Sequence, residues 1–167
     1  GAVKYAWMKE YYPAQYEEMK KFIESGRWHI SGASWDATDT LVPSIESALR
    51  NIMLGQDYYR KEFGVESTDI FLPDCFGFGW TLPAIASHCG LIGFSSQKLQ
   101  WRNKPFYGND KYPFTVGLWQ GIDGSTIMMT HGYDYNQRFE DGDLSENKDL
   151  LELTGHSPLC LLYTSDA

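Results

Sequence analysis

Asp74 is the residue of this chain whose surroundings point most directly to chemistry. It sits in Ile70-Phe71-Leu72-Pro73-Asp74-Cys75-Phe76-Gly77-Phe78-Gly79, a carboxylate set just after a short apolar run. In parallel α/β folds, the loops that follow the strands are where ligands gather. Pro73 stiffens the approach, and Gly77 and Gly79 let the backbone turn sharply around whatever Asp74 faces. A carboxylate so placed could attack an electrophilic carbon or hold a cation. It could equally be a turn residue or a helix cap, and the pattern alone leaves both readings open. His29 and His88 read as packing or surface residues.

Periodicity supplies the elements that would position Asp74. Pro13 to Ser25 carries Tyr16, Met19, Phe22 and Ile23 at helical spacing, with Pro13 suited to the first turn and Gly26 as a stop. Arg27 to Ser31 alternates polar and apolar residues and predicts a short strand ending at Gly32. A loop rich in Trp35, Asp36 and Asp39 follows. Pro43 to Phe63 repeats Ile45, Leu49, Ile52, Tyr59 and Phe63, with Glu46 early and Arg60 and Lys61 late, which complements the macrodipole of a helix stopped by Gly64. Asp69 to Pro73 then predicts a strand, Thr81 to Cys89 a helix closed by Gly90, and Leu91 to Ser95 a strand. The alternation implies parallel strands with crossover helices, hence an α/β class, as an open sheet or a barrel. Phe114 to Trp119 and Thr126 to His131 flank Ile122-Asp123-Gly124-Ser125, whose Asp-Gly signals an inserted hairpin. Beyond Asn136 the chain turns acidic and predicts a solvated loop and a helix start.

Composition narrows the partners. The chain has 167 residues, the size of one domain, with 22 acidic against 14 basic side chains and a formal charge of -8. That field repels phosphate backbones and anionic membrane surfaces, so no nucleic-acid partner is expected. Residues 75–97 lack Asp, Glu, Lys and Arg, but their glycines, serines and Pro83 divide the stretch into loop, helix and strand, and no membrane span is expected. Three cysteines are too few for a disulfide framework. Six Trp, eleven Tyr and nine Phe supply more rings than a core needs, and rings stack well on sugars. Nothing in the sequence indicates a localisation.

The run Ile70 to Trp101 resembles the nucleophile region of glycoside hydrolase family 38, the α-mannosidases, and Ala37, where relatives of the cytosolic and lysosomal type often carry Glu, with Asp36 beside Trp35, resembles a bacterial-type branch. Gly26-Arg27-Trp28, Ser31 to Asp36, Val42 to Ser47, Gly55-Gln56, Glu62 to Val65, Trp119 to Ser125 and Thr130-His131 continue the likeness in order. The resemblance implies hydrolysis of terminal α-mannosidic bonds with retention, on mannose-containing oligosaccharides or glycans. It assigns Asp74 two roles, as nucleophile and as a ligand of one zinc-type divalent ion. It places Phe76 against the bound sugar, Lys98 at the end of the next strand as a substrate contact or charge balance, and Tyr133 and Asp134 among the sugar-binding residues. His131 does not align with the family's ligand histidines and is expected to be structural.

The implied fold is an incomplete (β/α)7-type barrel with parallel strands, crossover helices and an inserted hairpin, over residues 1–159. Such a piece should expose an apolar flank where further strands would pair. Residues 160–167 look like a translated sequencing adapter and are set aside. The family's acid/base carboxylate and remaining metal ligands are expected outside this chain, so the piece alone should bind metal weakly and turn over nothing. Two other readings are another metal-dependent carbohydrate hydrolase, such as a deacetylase, on a related barrel, and a noncatalytic carbohydrate-binding module.

Overall fold

The computed structural model of the chain describes residues 1–96, 98 and 116–130. It begins with two short helices, α1 (Val3–Tyr11) and α2 (Pro13–Glu24), separated by Tyr12, with Pro13 at the start of α2, where its missing N–H does no harm. The α2 periodicity holds: Tyr16, Met19 and Ile23 are buried, with Tyr5, Met8, Ile30 and Phe63 packed against them. The sequence reading did not foresee α1. That helix buries only Val3 and has no side-chain cap, so it lacks both signals by which a helix is read.

The long helix α3 (Ile45–Phe63) forms as expected. Ser44 caps it by accepting from the Ser47 N–H at 3.2 Å, and Gly64 closes it in the left-handed conformation. Gly55 is required by proximity: a Cβ there would run into the backbone of Ala33 and Ser34, so its absence brings α3 against the segment that leads to the tryptophan loop.

Residues 27–31 correct the reading, because they form no strand. Arg27 N and Trp28 N both donate to Phe22 O, closing α2, and so cannot join a ladder. Hydrophobic alternation reports a face but supplies no hydrogen-bonding neighbour.

Among the described residues the sheet comprises β1 (Asp69–Phe71), β2 (Gly93–Ser95), β3 (Val116–Gln120) and β4 (Thr126–Thr130), in the spatial order β1-β2-β4-β3. β1, β2 and β4 are parallel and β3 is antiparallel to β4. Helix α4 (Leu82–His88) lies between β1 and β2 in the chain, as expected of a crossover. The Asp123-Gly124 turn is confirmed, with Gly124 at φ 84°. The hairpin is not an insertion, however. β4 lies directly beside β2, with Met128 N donating to Ile92 O at 2.8 Å and Ser96 N to Thr130 O at 3.2 Å, so the hairpin continues the parallel sheet.

One face of the sheet makes the core. Register aligns Ile70, Phe94 and Met129 in one buried row, joined by Leu72, Ile127, Leu82, Ile85 and Ala86. Phe94 packs edge-on against Phe78 and Trp119 at 4.9 and 5.3 Å between ring centroids. Elsewhere on the sheet Phe71, Leu118 and Met128 are exposed. Four strands with covering helices establish an α/β fold, and closure into a barrel is not seen among the described residues. No described helix is long and apolar enough to cross a membrane.

Candidate active site at the strand tips

Parallel register brings the predicted residues together. Phe71 and Ser95 are partners at the ends of β1 and β2, and the ladder continues one step further through Leu72 N to Ser95 O at 3.0 Å. Asp74 and Lys98 each lie three residues beyond those partners, so the sheet delivers them to the same end. After β2, Ser96 Oγ accepts from Lys98 N at 3.1 Å and turns the chain across the strand tips. The result is an ion pair, Lys98 Nζ to Asp74 Oδ1 at 2.7 Å. Phe76 completes the group, with Lys98 Nζ lying 5.1 Å from its ring centroid.

The two charged side chains are buried unequally. Lys98 is 16% exposed and Asp74 is 68% exposed, so the cation forms the floor and the carboxylate faces outward. The helix-cap reading of Asp74 is removed, because α4 begins at Leu82 behind Thr81 with no side-chain cap. Solvent over most of Asp74 screens the pair, so it contributes about 0–1 kcal/mol to folding and has little value as a staple. An outward carboxylate steadied from behind by an ammonium group is suited instead to meeting a ligand.

A second segment closes over the loop that carries Asp74. Thr40 Oγ1 donates to Gly77 O at 2.8 Å, and Cys75 Sγ donates to Thr38 O at 3.3 Å. Burial pushes the Cys75 thiol above its ordinary value, and the charges of Asp39 and Asp74 push the same way. Trp35, Asp36 and Asp39 mark this segment in the sequence, and nothing there marks Thr40. A threonine 37 residues from its partner leaves no local signal.

Tyr133 and Asp134 lie outside the described residues, as do His131, His156 and residues 160–167. His29 is exposed. His88 is exposed too and meets Asp123 of the hairpin turn at 3.2 Å. Among the described residues no group of three or more His, Cys, Asp or Glu side chains could hold a metal ion. Asp74 alone offers one hard oxygen donor, and its nearest charged partner is already a cation. Zinc takes three or four protein ligands, so the described residues do not by themselves fit a zinc site.

The sequence profile of the glycosyl hydrolases family 38 N-terminal domain matches residues 2–154. This chain belongs to family 38. The family is thus one of glycoside hydrolases. Alpha-mannosidase G of Dictyostelium discoideum is 37% identical over 89% of the chain, which spans 14% of that relative's length. The family 38 chain also superposes on an alpha-mannosidase from Enterococcus faecalis V583 with a TM-score of 0.57, at 21% identity, over 74% of this chain and 13% of that one. A 4-alpha-glucanotransferase from Thermococcus litoralis gives a TM-score of 0.60 at 17% identity, over 75% of this chain and 19% of the other. At those identities the two structures speak for a shared fold.

Proposed function

We propose that this segment carries the nucleophile of a retaining α-mannosidase acting on terminal α-mannosidic bonds of oligosaccharides or glycans. The observation that carries the reading is the outward Asp74 carboxylate at the tips of two parallel strands, paired with the half-sunken ammonium of Lys98. In such a reaction Asp74 attacks the anomeric carbon as the glycosidic C–O bond breaks, giving a covalent glycosyl-enzyme. A second carboxyl group protonates the leaving oxygen and then activates the water that releases the sugar. No described residue is assigned that second role. Lys98 would keep the carboxylate oriented with one oxygen engaged and the other presented, and exposed Phe76 would offer its ring to the sugar. Tyr133 and Asp134 are proposed as further sugar contacts on the strength of the family likeness.

Zinc belongs to the proposal as an ion for which Asp74 would be one of several ligands, the others lying elsewhere than in the described residues. The fold is likewise proposed to be part of a seven-stranded barrel.

The test is hydrolysis of an aryl α-mannoside by the protein produced at the length of its relatives. NMR of the first product should show the α-anomer, and a fluorinated mannosyl fluoride should label the peptide containing Asp74. An inverted product, or a label on another carboxylate, would refute the assignment.

A further inference from the structure

Residues 73–81 lie between β1 and α4, outside both regular elements, so something other than a ladder must fix the carboxylate they carry. The segment facing them is itself anchored. Asn51 on α3 holds Asp36 from both sides, its Oδ1 accepting from Asp36 N at 3.0 Å and its Nδ2 donating to Asp36 O at 2.9 Å. Asp39 Oδ1 accepts from Leu41 N at 2.7 Å and tightens the turn. From this platform the Thr40 hydroxyl reaches Gly77 O, three residues past Asp74 and one past Phe76. The reverse tether, Cys75 Sγ to Thr38 O, comes directly after Asp74 in the same loop. Leu41 covers Gly77 closely enough that a Cβ there would run into its Cδ1.

We propose that Thr40 is a positioning residue for Asp74, its hydroxyl holding the loop of Asp74 and Phe76 against a platform anchored on α3. The inference rests on the proposed role of Asp74 as nucleophile. The Thr40 hydroxyl bonds to Gly77 O, so it reaches Asp74 through the loop backbone. It acts by limiting where the loop can go, and small misplacements of a reacting group can cost up to about a hundredfold in rate.

The experiment compares Thr40→Val, which keeps the shape and removes the donor, with Thr40→Ser, which keeps the donor, in the protein at its relatives' length. Two quantities are read: kcat and KM on an aryl α-mannoside, and the rate of Cys75 alkylation by iodoacetamide, followed by peptide mass spectrometry with Cys89 as internal reference. Thr40→Val should lower kcat about tenfold with KM within about twofold, and should speed Cys75 alkylation about fivefold relative to Cys89. Thr40→Ser should restore both. If Thr40→Val lowers the melting temperature, Thr40→Ala and Thr40→Ser provide the same comparison among folded variants. Unchanged kcat, or a fall in kcat without faster alkylation at Cys75, would overturn the proposal. A parent protein without mannosidase activity would defeat the proposed function instead. The tether would then be judged by alkylation alone, with an unchanged Cys75 rate in Thr40→Val refuting it.

Discussion

Two charged clusters in this chain use similar chemistry to opposite ends. Where α1, α2 and α3 meet, both Glu62 carboxylate oxygens accept from Lys9 Nζ at 2.6 and 2.7 Å. Glu62 Oε2 also accepts from Tyr16 OH at 2.8 Å, and Tyr16 OH lies 3.3 Å from Tyr58 OH. Tyr5 and Tyr58 pack edge-on against Phe63, which stacks on Tyr59 and tilts against Tyr16, and burial drives the Tyr16 hydroxyl's pKa upward. At the strand tips, Asp74 has Lys98 at one oxygen and solvent over most of its surface. The first cluster meets a carboxylate on α3 with donors from α1 and α2 and thereby staples the three helices. The second leaves its carboxylate available. The carboxylate that staples helices is held by several donors, whereas the one proposed for chemistry is held from one side.

Four measurements would break or sharpen that contrast. Asp74→Ala, in the protein at its relatives' length, should lower kcat/KM on an aryl α-mannoside by about a thousandfold or more, roughly 4 kcal/mol, with the melting temperature little changed. Retained activity would erase the distinction. Lys98→Met should lower the same kcat/KM about ten- to a hundredfold, with Lys98→Arg recovering part of it. Its effect on folding should stay within about 1 kcal/mol by denaturant titration.

In the enclosed cluster the pattern should reverse. Tyr16→Phe removes a donor to Glu62 while keeping the ring, so it should cost about 1–2 kcal/mol in chemical denaturation and leave activity unaffected. The smallest effect concerns pH. The Lys9 hydrogen bond, aided by that of Tyr16, holds the Glu62 carboxyl below its ordinary value of 4.5. A depressed folded-state pKa contributes stability above the unfolded value, and that contribution is lost as pH falls through the folded one. The melting-temperature gap between the parent and Glu62→Gln should therefore be widest near neutrality and narrow on acidification below about 4.5. A gap that widened in acid would show that Glu62 stabilises in its protonated form.

Much of this was legible in the sequence, for local reasons. Glu46, Arg60, Lys61 and Gly64 mark the ends of α3, and Asp123-Gly124 marks the hairpin, because helix ends and turns are decided by residues within a few positions of one another. Asp74 stands out by its place after an apolar strand and Lys98 by family likeness, and parallel register explains why they meet. The strand expected over residues 27–31 and the unforeseen α1 fail for the complementary reason. Alternation and weak amphipathicity cannot say whether a hydrogen-bonding neighbour will be present. The position of β4 beside β2 is of the same kind, since a turn signal fixes the pairing inside a hairpin and says nothing of the strand outside it.

The sequence by itself determined the helices with strong caps, the class of fold, the hairpin turn and the family. Tertiary structure decided which carboxylate is enclosed and which is open, that Lys98 reaches Asp74, and that Thr40 holds the loop between them. The division follows from the range of the forces. Backbone propensity and capping act within one turn of chain, whereas burial and long-range hydrogen bonds depend on partners tens of residues away, which only the folded sheet brings within 3 Å.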